Sequence, residues 1–168
     1  MIPTVIDDDR GAADAVNPTS TLPVITNLLL EASGSVLTIT GTNLDQQARV
    51  EVACDVHEEG STTLPAKKLS KIVGAVGSDN IVLQMEDNKG LLIAGEDEFR
   101  LSGLDGSDFP RELFPACEPL AQWDFKASEL RRIFVQLSPL QSADESRYIL
   151  MGVHLLGQKT GLDWTATD

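Results

Sequence analysis

Leu69, Ile72, Val73 and Val76 recur at i, i+3, i+4 and i+7. That spacing predicts an amphipathic helix over residues 66–76, with the apolar stripe buried and Lys67, Lys68 and Lys71 outside. The register returns at residues 127–137, where Ala127, Leu130, Arg132, Ile133 and Phe134 occupy the places of Ala66, Leu69, Lys71, Ile72 and Val73. Ahead of the first of these helices the period is 2 instead of 3.6. Ala48, Val50, Val52, Cys54 and Val56 alternate with mostly polar neighbours, which predicts a half-buried antiparallel strand over residues 48–57 that ends by Gly60. Residues 24–32 and 35–40 read as two strands joined by a tight turn at Ser33-Gly34. Residues 80–86, 91–94 and 98–102 form a further set, with a turn at Asp87-Asn-Lys-Gly90.

The order helix then three strands thus occurs once in full, and parts of it flank that copy. Residues 10–17 read as a short helix stopped by Asn17-Pro18 ahead of the first three strands. After the second basic helix, residues 147–156 and 160–167 read as a hairpin-like pair. The strand endings Ile39-Thr-Gly-Thr-Asn-Leu-Asp45 and Trp164-Thr-Ala-Thr-Asp168 share their chemistry, as copies of one internal repeat would. Gly106, Pro110, Pro115 and Pro119 break periodicity, so residues 104–122 read as a connector between a domain at 1–103 and an incomplete one at 123–168.

Charge sharpens this picture. The formal net charge is −13, yet residues 64–76 hold three lysines and no acid. An acidic body with a segregated basic face repels nucleic acid except where that face meets it. The hydrophobic fraction of 42% supports a packed core. The opening Met1-Ile-Pro-Thr-Val-Ile lacks the charged start and apolar run of a signal peptide, and no stretch has the ~20 apolar residues of a membrane span, so a soluble cytoplasmic protein is expected. Cys54 and Cys117 are too few and too far apart for a disulfide framework or zinc site and read as packing residues. Asp7-Asp8-Asp9 reads as a solvated terminal acid run, and neither His57 nor His154 has a nucleophile or metal-ligand companion at useful spacing. No phosphate-cradling glycine loop, catalytic carboxylate pair or nucleophile elbow stands out, so no enzyme, metal or cofactor is expected.

Several short motifs, in order, carry a resemblance: Thr21-Leu-Pro-Val-Ile-Thr-Asn-Leu-Leu-Leu, Leu37-Thr-Ile-Thr-Gly-Thr-Asn-Leu-Asp, Leu64-Pro-Ala-Lys-Lys-Leu, Phe99-Arg-Leu, Asp108-Phe-Pro, Arg147-Tyr-Ile-Leu-Met-Gly and Ala166-Thr-Asp. Together they resemble the bacterial sliding clamp, the beta subunit of the DNA polymerase III holoenzyme, over its first domain and the start of its second. The resemblance implies an α+β DNA-clamp fold of repeated units, each a helix plus three antiparallel strands, with the helices on one face. It implies a non-catalytic processivity factor that encircles duplex DNA as a homodimeric ring and tethers DNA polymerase III and clamp-loader subunits. Carried over position by position, it places Lys67, Lys68, Lys71, Lys126, Arg131 and Arg132 on DNA phosphates without sequence readout, with Arg147 and Tyr148 nearby. It places Leu150 and Thr167 in a pocket for partner peptides, and Phe99 and Leu101 at a subunit interface.

The departures from the family pattern matter too. Residues 1–9 do not match, Thr19-Ser20 stands where a basic residue is common, and Glu96, Asp97 and Glu98 precede Phe99 where cations are common. About one and a half repeats do not close a six-domain ring. A truncated clamp chain is therefore expected, with a stand-alone clamp-like interaction module as the alternative. A strand through Leu162 and Trp164 would then expose an edge and apolar surface.

Overall fold

The computed structural model describes residues 10–77, 80–111, 113, 122–158 and 161–168. Two compact units result, Met1–Pro115 and Ala116–Asp168. Asp7-Asp8-Asp9 and Cys117 lie outside the described residues.

In the first unit, α1 (Arg10–Asp14) precedes β1 (Asn27–Ser33), β2 (Val36–Thr42), β3 (Gln47–Ala53) and β4 (Gly60–Pro65). Then come α2 (Ala66–Val73), β5 (Val82–Glu86), β6 (Lys89–Ala94), β7 (Asp97–Ser102) and the two-residue β8 (Leu104–Asp105). One sheet has the order β3-β2-β1-β4-β8 and another β5-β6-β7. Every pairing is antiparallel. Because successive side chains alternate, Leu28 and Leu30 of β1, Leu37 and Ile39 of β2, Val52 of β3 and Leu64 of β4 share one face. They join Ala12, Val16, Ala66 and Leu69 in a single core. Leu92 and Leu101 of the smaller sheet complete it. Both helices lie on that face: α1 packs on β2 and β3, α2 on β1 and β4, and the two touch. The close approach of α1 requires Gly41, since a Cβ there would stand 1.9 Å from the Ala12 carbonyl oxygen.

The opposite face is rich in threonine. Thr63 is fully buried, and its Oγ1 accepts from Asn27 Nδ2 at 2.8 Å and from the Leu104 amide at 3.1 Å while donating to the Leu104 carbonyl. One hydroxyl thereby stitches β1, β4 and β8 with all its hydrogen-bonding capacity used. Farther along, Arg111 pairs with Glu31 at 3.0 Å and donates to Ser61 Oγ, and its carbonyl accepts from Gln47 Nε2. The stretch read as a connector from residue 104 is thus packed on the first unit as far as Arg111.

In the second unit, α3 (Ala127–Leu137) precedes a hairpin of β9 (His154–Gln158) and β10 (Gly161–Thr165). Trp164 of β10 meets Phe134 of α3 edge to face at 5.5 Å and Phe125 at 5.8 Å. Trp123 lies against Gly157, where a Cβ would meet its ring at 2.9 Å. Leu130, Ile133 and Leu137 are half-buried, and no residue of α3 is fully buried.

Four expectations are corrected. Residues 23–26 form a 3-10 turn rather than the start of a strand, set by Pro23 at its first position. α2 stops at Val73, where Gly74 donates back to the Ser70 carbonyl and Ala75 to that of Ile72, so Val76 lies past the helix. β4 is a whole strand absent from the reading: Gly60 opens it instead of ending β3, and Pro65 closes it opposite Asn27. Residues 145–151 form a 3-10 segment rather than a strand, begun by Asp144, whose carboxylate accepts from the Ser146 amide and hydroxyl. Among the described residues no helix is long and apolar enough to cross a membrane.

Candidate nucleic-acid interface

α2 and α3 begin alike. Each starts at an alanine, and each is preceded by a residue in extended or near-extended backbone that provides no side-chain cap: Pro65 for α2, Lys126 for α3. Leu69 of α2 is buried and Ile72 and Val73 half-buried, which turns the other side outward. Lys67, Lys68 and Lys71 are all exposed there, as are Arg131 and Arg132 on α3 and Lys126 at its N-cap. The stripe of α2 holds as far as Val73, that of α3 is half-buried at Leu130 and Ile133 with Phe134 exposed, and each unit gathers three of the predicted cations on one helix or its N-cap. None of the six takes part in an ion pair among the described residues.

The position of the lysines carries its own argument. A helix N-terminus has the positive end of the macrodipole and unsatisfied N–H groups. Carboxylates are favoured there, yet the first turn of α2 has no acid and holds Lys67 and Lys68. Their placement is slightly unfavourable for the helix alone and adds to its positive potential. It makes sense where an external anion such as a phosphate meets that end.

Arg147 and Tyr148 fall on the 3-10 segment. Arg147 is exposed, with Nε 3.9 Å from Asp144 Oδ2, and Tyr148 is 74% exposed. The two residues read as a partner-peptide pair separate. Thr167, with residues 139–144 and Arg147, lines an open cavity of about 660 Å³, whereas half-buried Leu150 is not among the lining residues and its carbonyl accepts from the amide of Ser142, which is. Phe99 and Leu101, expected at a subunit interface, lie on β7. Leu101 is a core residue and Phe99 packs against the core, so β7 turns Glu98, Arg100 and Ser102 outward together with its open backbone edge.

Carboxylates that hold turns titrate low. Glu59 is pulled below the ordinary carboxylate range by the Gly34 amide and the Ser33 hydroxyl, and Asp105 and Asp144 by the amides and hydroxyls of Ser107 and Ser146. Burial, with Asp55 beside it, pushes the Cys54 thiol up, as suits a packing cysteine. Among the described residues no three of His, Cys, Asp and Glu converge as metal ligands would.

The family described as DNA polymerase III beta subunit, N-terminal domain, matches residues 5–113. The chain is 34% identical to the beta sliding clamp of Pseudomonas aeruginosa over 159 residues, which covers 93% of this chain and 42% of that protein. To the beta sliding clamp of Synechococcus elongatus it is 32% identical over 149 residues, covering 87% and 39%. The crystal structure of a Pseudomonas aeruginosa sliding clamp, DNA polymerase III subunit beta, bound to griselimycin superposes with a TM-score of 0.87 at 31% identity, over 98% of this chain and 46% of that one. The Bacillus subtilis clamp shares the fold, with a TM-score of 0.86 at 24% identity over 95% and 44%. The chain thus spans less than half the length of these relatives.

Proposed function

The chain belongs to the DNA polymerase III beta subunit family, and from that premise we propose that it acts as a sliding-clamp processivity factor, laying α2 and α3 along the phosphates of duplex DNA. One observation carries the reading: α2, and α3 with its N-cap Lys126, each present three exposed cations that join no ion pair among the described residues, in a chain of net charge −13. Lys67, Lys68, Lys71, Lys126, Arg131 and Arg132 contact phosphates, with Arg147 and Tyr148 beside them. Charges on flexible stems that meet only the backbone give affinity without sequence readout, which is what sliding requires.

Residues 1–103, with the packed stretch to Arg111, form one clamp domain, and residues 123–168 belong to a second. In this reading the chain has no catalytic role. It works in the cytoplasm, associates through the β7 edge, and holds a polymerase and a clamp loader at protein surfaces that include the cavity beside Thr167. The test is fluorescence anisotropy with two duplexes of unrelated sequence and equal length. Equal affinities that fall steeply with salt support the reading. A preference for one sequence, or binding insensitive to salt, overturns it.

A further inference from the structure

We propose that the aromatic face of the second unit pairs with the same face of a second copy of this chain, so that two helix-and-hairpin halves close around one shared core. The inference stands apart from the DNA reading and from the β7 edge. Trp164 meets Phe125 and Phe134 edge to face, Trp123 lies against Gly157, and the register of β9 with β10 sets Leu155 opposite Trp164 and Gly157 opposite Leu162. Residues opposite each other in a ladder project to the same side, so Leu155, Leu162 and Trp164 share the side that meets α3. Leu156 projects from the other side of the hairpin. The side that should be the interior of this unit is wet: Trp123, Phe125, Phe134 and Leu155 are between 41% and 50% exposed, and Leu162 and Trp164 are only half-buried.

Three observations point to a second copy as the occupant. First, the other unit shows how such a face is closed. There α1 and α2 touch, each packed on strands of the sheet, with one core between them. In the second unit α3 is the single α-helix described, and it buries none of its residues fully. Second, the area is sufficient. With ~150–250 Å² for a whole aromatic side chain, the six residues leave roughly 500 Å² of apolar surface in water on this face. Two copies would cover roughly 1,000 Å², and because the apolar share of such contacts is about 65%, the whole contact comes to about 1,500 Å², the size of a stable pairing. Third, charge permits it. Residues 123–168 hold six acids against five basic residues, so they contribute −1 of the net −13 and the self-repulsion of the chain resides elsewhere. A two-fold contact sets one patch against itself, which a centre of tryptophan, phenylalanine and leucine allows and a centre of like charges does not.

The experiment follows sedimentation velocity and tryptophan emission of the full chain through a dilution series at low and high salt. Both tryptophans of the chain lie on the proposed face, so dissociation on dilution should red-shift the emission in step with the loss of the faster species. High salt should leave the equilibrium in place, since apolar burial is not screened. Leu155→Asp should weaken the dimer about a hundredfold, because a two-fold contact suffers the change twice. Leu156→Asp, exposed to the same extent on the other side of β9, should leave it unchanged. Near-ultraviolet circular dichroism reports whether the rings around Trp164 stay ordered in Leu155→Asp, and where they do not, the dilution of wild type alone decides. A chain that is monomeric from nanomolar to high micromolar concentration overturns the inference. So do dimers that form with no change in emission, or that respond alike to the two leucine substitutions, since their contact lies elsewhere.

Discussion

Reversing four of the six cations separates DNA contact from folding. In the variant Lys67→Glu, Lys71→Glu, Arg131→Glu, Arg132→Glu, every altered side chain is exposed and in no ion pair among the described residues, so no internal partner is lost. Glutamate forms helix about as well as lysine or arginine. At Lys67, in an acid-free first turn, it complements the helix dipole by a few tenths of a kcal/mol. Stability should hold or rise slightly. DNA binding should collapse. If all six cations each neutralise one phosphate, the slope of log affinity against log salt is about −5.4, and with only Lys68 and Lys126 left it is about −1.8. Between 50 and 200 mM salt those slopes correspond to losses of roughly three decades and roughly one. If one helix engages at a time, the starting slope is about −2.7, and the variants of α2 and α3 made separately show which. Anisotropy over a salt series reads the slopes, and circular dichroism checks the fold. A variant with wild-type slope and affinity refutes the assignment of these helices to DNA.

Thr63→Val leaves the buried Asn27 amide and the Leu104 N–H without their acceptor and should cost about 2–4 kcal/mol in urea unfolding, while Thr63→Ser stays near wild type. Trp164→Ala removes two edge-to-face contacts and a half-buried ring, so the second unit should lose about 2 kcal/mol or more, seen as loss of near-ultraviolet signal at lower denaturant. Because the folded-state pKa of Glu59 is depressed, its contribution is present above the ordinary glutamate value of about 4.3 and is lost as pH falls through the folded value. Acid unfolding of Glu59→Gln should accordingly be less steep below that pH than wild type.

Periodicity served where one face of an element is buried and the other wet. Residues 127–137 form the helix that their stripe outlines, and Val52 and Cys54 turn inward as their alternation requires. β4 escaped because both its faces are buried: Thr62 and Leu64 face the core, Thr63 the other side, and threonines blur the alternation. Its signal was the β-branched pair Thr62-Thr63 between Gly60 and Pro65. Residues 147–156 read as strand by composition, and the capping chemistry of Asp144-Glu145-Ser146 overrides that over the first part, as far as Met151. The cations of the candidate site were legible because exposed charge on an amphipathic helix follows from the apolar stripe. The strand carrying Phe99 and Leu101 was legible from the sequence, but the packing of Leu101 in the core and of Phe99 against it depends on the sheet's partners in space.

Photo-crosslinking to circular duplex DNA tests the central claim most directly, with a benzophenone residue placed at Lys68 or Arg132, on the basic helices, and at Glu51 or Arg100, on strand residues that face away from the core. All four positions are exposed, so reactivity depends on what lies near them. The account requires crosslinks from Lys68 and Arg132 that disappear at high salt, with background yields from Glu51 and Arg100. Equal yields from all four, or crosslinks confined to Glu51 and Arg100, contradict it.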